Sequence, residues 1–124
     1  DMFAEMRLAA LIQKPRLGAQ AMPAQQVLDM ATRLGASALG VPAGSLELGK
    51  DADLVQLNPD AVHAWGGGEP ASALVYAMNP ASVQRLWIQG DLVAEHGNIH
   101  AWSTAETIAG CRDSLRRVME RAGL

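Results

Sequence analysis

Gly44-Ser45-Leu46-Glu47-Leu48-Gly49-Lys50-Asp51-Ala52-Asp53-Leu54-Val55-Gln56-Leu57 is the stretch on which the fold turns. Its period is two. Leu46 and Leu48 alternate with Ser45 and Glu47, the pattern of a half-buried strand. Gly49-Lys50-Asp51 reads as a turn and Ala52 to Leu57 as the returning strand of a hairpin, stopped by Asn58-Pro59-Asp60. Asp51 and Asp53 flank that turn, where short carboxylates commonly bind local backbone amides.

Upstream the period becomes helical. Met2, Phe3, Met6, Ala9 and Ala10 fall on one stripe, and Leu8, Leu11 and Ile12 widen it until little of the helix is polar. Such a helix requires partners on more than one side. Pro15 ends it, because proline disfavours a helical conformation at the residue before it. Pro23 suits a first turn, and Val27, Leu28, Ala31 and Leu34 give a second amphipathic helix closed by Gly35, with a short further turn over Ala36 to Leu39. The opening Asp1-Met2-Phe3-Ala4-Glu5-Met6-Arg7 is mid-helix in character, so the chain reads as a piece of something longer.

Downstream, His63-Ala64-Trp65-Gly66-Gly67-Gly68-Glu69-Pro70 is a glycine-rich loop, and Ala71 to Met78 reads as a helix with Leu74, Val75 and Met78 inward. Val83 to Gln89 is a strand, Gly90-Asp91 a two-residue hairpin loop, and Leu92 to Glu95 the return, ended by Gly97-Asn98. The last helix opens on Ser103 with Glu106 three residues on, a capping box. Ile108, Cys111, Leu115, Val118 and Met119 form its apolar stripe, and Arg112, Arg116, Arg117 and Arg121 favour its later turns, where cations complement the helix dipole.

The chain has 124 residues and ten basic against thirteen acidic side chains, a formal charge of −3. That balance argues against nucleic acid or an anionic membrane surface as partner. No apolar run approaches the ~20 residues that span a bilayer, and no signal-peptide pattern opens the chain. One cysteine, Cys111, excludes an internal disulfide framework, and a cytoplasmic location is expected. The length is too short for a complete (β/α)8 barrel, which takes about 250 residues.

Candidate chemistry is thin. His96 and His100 are four apart, but Gly97 and Asn98 lie between them and read as a turn, so the helical two-ligand geometry fails; His63 is isolated in a loop. Cys111 lies on an apolar stripe and reads as a small buried hydrophobe, without the histidine that would activate it. Gly66 to Gly68 lack the preceding strand and lysine-serine ending of a phosphate loop. The residues alone contain no catalytic constellation, no cofactor-binding motif and no metal-ligand set.

The Gly44–Leu57 stretch resembles the Gly-x-Leu-x-x-Gly-Lys-x-Ala-Asp-Leu-Val segment near the C-terminus of the amidohydrolase superfamily. Met30 to Gly40 is similar to the helix that enters that hairpin, and Asp1 to Leu11 to the helix after the last barrel strand. Pro70 to Ala77 and Val83 to Gly90 resemble the closing helix and strand. The Asp1-Met2-Phe3-Ala4-Glu5-Met6-Arg7 start is most like the methylthioadenosine and S-adenosylhomocysteine deaminases, with cytosine, guanine and chlorotriazine hydrolases as relatives.

The resemblance implies an α+β fragment: terminal helices of a (β/α)8 barrel, hairpin strands of a small composite β-sandwich domain built from both chain ends, and a C-terminal helix. It divides the chain into 1–40, from the end of the barrel, 41–100, sandwich hairpins with one short helix, and 101–124, the last amphipathic helix. It implies a parent enzyme that hydrolyses C–N bonds of a nucleobase or nucleoside with water activated by a divalent metal, zinc or iron. None of the family's ligand or proton-transfer motifs matches a position in 1–124, Asp1 included, so the segment is expected to be inactive alone and to bind no metal.

The expected partner is the remainder of the parent barrel or a second copy, met through the helix at 2–12. Two other readings stand beside this one: a standalone sandwich-like interaction or oligomerisation module, and a metal site of the chain's own at His63, His96 and His100.

Overall fold

The computed structural model describes residues 1–60 and 68–124. His63, Trp65 and the first two glycines of the Gly66–Gly68 run lie outside the described residues. The described residues combine helices with one antiparallel four-stranded sheet.

Helix α1 spans Met2–Ile12, and Asp1 caps it instead of continuing a helix: its Oδ1 accepts from the backbone N–H of Phe3 (2.9 Å) and of Ala4 (3.2 Å). Pro15 does not stop all helical structure. It occupies the first turn of the short α2, Lys14–Leu17, where its missing N–H costs nothing. Helix α3 runs Ala24–Ala31 after Pro23. The chain then breaks at Thr32 and resumes as α4, Arg33–Leu39, closed by Gly40 in the left-handed region. Gly35 is therefore interior to α4 and not a cap. A side chain there would meet the Met30 carbonyl oxygen at 2.9 Å, so glycine accommodates the break.

The first expected hairpin does not form. Ser45 to Leu48 are not a strand, Leu46 is 87% exposed and Leu48 fully so, and only β1, Leu54–Leu57, is extended. Period-two alternation builds a strand only where one face is covered and the edge paired, and neither holds at 45–48. β1 instead pairs with β2, Val83–Ile88, with Val55 opposite Leu86.

β2 turns into β3, Asp91–Glu95, with Ile88 opposite Asp91. The loop is thus Gln89-Gly90, one residue earlier than the composition suggests. Both residues have positive φ (51° and 89°), as a mirror-type two-residue turn requires. A second such turn at His96-Gly97 (48° and 80°) adds β4, Asn98–Ile99, giving the meander β1-β2-β3-β4.

Before β2, helix α5, Pro70–Ser72, runs into a π-helical turn, Ala73–Ala77, and a 3-10 turn, Pro80–Ser82. As expected, Val75 and Met78 point inward; Leu74 is half-buried. The core gathers Met6 and Ala10 of α1, Ala24 and Val27 of α3, Ala71 of α5 and Val75 of the π turn. Arg7 fastens these pieces: its Nε donates to the Val75 carbonyl (3.3 Å) and an Nη to that of Met78 (2.6 Å).

The last helix, α6, spans Thr104–Ala122, with Ser103 accepting from the Glu106 N–H (3.3 Å) and Gly123 closing it. Every residue from His96 onward is exposed, Cys111 included. Cys111 is not the buried hydrophobe its stripe suggests, because none of the described residues covers that stripe.

Candidate functional site

An open cleft of about 660 Å³ lies between α1, the α3–α4 break and β1. Met2, Met6 and Ala9 of α1, Val27 and Met30 of α3 and Val55 of β1 line it, together with Glu5 and Asp53. The lining is apolar and carries no pair of acid and base. Its chemistry is that of a docking surface.

The signature stretch shapes this cleft. Gly44 has φ +84°, and a Cβ there would fall 2.7 Å from the Thr32 carbonyl oxygen and 2.9 Å from the Arg33 Cα. Only glycine lets the 43–45 backbone lie against the α3–α4 break. Asp51 donates its N–H to the Pro42 carbonyl (2.7 Å), closing the loop on itself. Asp53 does serve a turn, but a distant one: its Oδ1 accepts from the Gln89 N–H (2.8 Å), while the Ala52 carbonyl accepts from Gly90 (3.1 Å). Ala52-Asp53 thereby pins the tip of the β2–β3 hairpin to the start of β1. Composition placed Asp53 in turn chemistry but gave no signal for a partner 36 residues away.

The histidines sit apart from the cleft. His96 occupies the β3–β4 turn, and His100 Nδ1 lies 3.1 Å from the Leu92 carbonyl oxygen. Both lie near Glu95, whose carboxylate accepts from Arg85 Nε (2.5 Å). The Glu95 carboxyl is held below the ordinary range by that hydrogen bond first and by the Arg85 charge second, with smaller help from His96 and His100. Among the described residues no three His, Cys, Asp or Glu side chains converge as a metal would need. No helix among them is long and apolar enough to cross a membrane.

The comparisons with known proteins match this architecture. The amidohydrolase family profile covers residues 1–93. The 5'-deoxyadenosine deaminase of Methanosphaera stadtmanae is 40% identical over 96 residues, 77% of this chain and 23% of that protein. The 5-methylthioadenosine/S-adenosylhomocysteine deaminase 1 of Syntrophus aciditrophicus is 34% identical over 124 residues, 98% of this chain and 27% of that protein.

Among solved structures, an adenosine deaminase from Xanthomonas campestris with bound zinc overlays with a TM-score of 0.90 at 34% identity, covering 97% of this chain and 28% of that one. The atrazine chlorohydrolase of Arthrobacter aurescens complexed with zinc overlays at 0.75 and 28% identity, covering 87% and 25%. The chain spans about a quarter of the length of these relatives. With the Gly44–Leu57 loop seated on the helix break, the sheet pinned by Asp53 and the profile covering three-quarters of its residues, the chain belongs to the amidohydrolase family.

Proposed function

We propose that the chain is the C-terminal part of an enzyme that hydrolyses a C–N bond, deaminating a purine, pyrimidine or related nucleoside with water activated on a divalent metal, zinc or iron. The observation that carries this reading is the overlay of nearly the whole chain on little more than a quarter of a zinc-bound adenosine deaminase. Deaminase names among the curated relatives support the reaction class. In this reading residues 1–40 close the (β/α)8 barrel, 41–100 enter the small composite sandwich, and 101–124 form an outer helix. The cytoplasm is its proposed location.

The donors of this chain do not fit the metal, since no three of them converge among the described residues. No catalytic step is assigned to any residue here. The role of the chain is scaffolding: the apolar cleft and the outer face of α1, with Leu8, Leu11 and Ile12 exposed, receive the rest of the barrel. The free edge of β1 is open to further strands, because unpaired ladder groups recruit a neighbour.

Ammonia release from adenosine, 5'-deoxyadenosine and methylthioadenosine tests the proposal. The chain joined to its preceding barrel releases ammonia from at least one, and a chelator abolishes it. The isolated chain releases none. Deamination by the isolated chain, or an active joined protein indifferent to chelation, would overturn the reading.

A further inference from the structure

We draw no further inference here: the strongest candidate, the exposed apolar stripe of α6 over Ile108, Leu115 and Val118, belongs to a chain that spans about a quarter of its relatives' length, and nothing in the structure shows what covers it.

Discussion

Gly44 and Gly49 carry nearly the same positive φ, 84° and 85°, but only Gly44 has backbone within 3 Å of where a Cβ would stand. The pair separates conformational strain from steric contact. Gly49→Ala should cost about 1–2 kcal/mol, the penalty of the left-handed region for an L-residue. Gly44→Ala should cost visibly more, because the loop must also lift from Thr32 and Arg33. Urea denaturation of both variants checks this, and equal losses would show that the loop is not seated on the helix break.

The Arg85–Glu95 pair makes a second test. A carboxylate with a lowered folded pKa stabilises the folded state above its unfolded value, and that stabilisation is lost as pH falls through the folded value. Glu95, with an ordinary value of 4.5, and Asp29, with 3.8 and held down by Arg33 and then Gln25, therefore both favour the fold at neutral pH and cease to do so in acid. Both carboxylates pair with an arginine that is exposed to solvent, so the change is small. Arg85→Met should move the Glu95 titration upward by NMR; an unmoved midpoint would contradict the pairing.

α1 joins the core to the turn before β2 through two different kinds of contact. Met6→Ala removes buried volume between α3 and the π turn and should cost about 2–5 kcal/mol. Arg7→Met keeps the volume but leaves the Val75 and Met78 carbonyls without their charged donor, and about 1.5–3 kcal/mol is expected. Thermal denaturation with a far-UV signal measures both. An Arg7→Met variant as stable as the parent would show that the clamp is incidental.

Helix existence was legible because Met6 and Ala10, or Val27 and Ala31, recur at helical spacing whatever surrounds them. Strand pairing was not. Leu46 and Leu48 have the alternation of a strand, yet a strand forms only with a partner edge, and β1 found its own across 30 residues at Val83–Ile88. The Gln89-Gly90 turn was misplaced by one residue because glycine at its second position does not declare that glutamine will adopt φ 51° at the first. Cys111 was misread because a stripe announces that it will be covered without saying by what.

The whole molecule has a small core and several uncovered apolar surfaces. Met6, Val27 and Val75 are buried, while Leu8, Ile12, Leu46 and Leu48 are exposed. Monomeric soluble proteins rarely expose contiguous patches of that kind. The recognisable part of the site was the Gly44–Leu57 signature, which identifies the scaffold. No reactive residue was assigned, and among the described residues no three His, Cys, Asp or Glu side chains converge.

A chimera tests this most directly. The 124 residues replace the matching 28% of the Xanthomonas campestris adenosine deaminase, and zinc content and ammonia release from adenosine are measured on the purified protein. If the chain is scaffold for a centre carried by the barrel, the chimera binds zinc and deaminates, while the 124 residues alone do neither. A folded chimera that has lost its zinc, or zinc bound by the 124 residues alone, would contradict it.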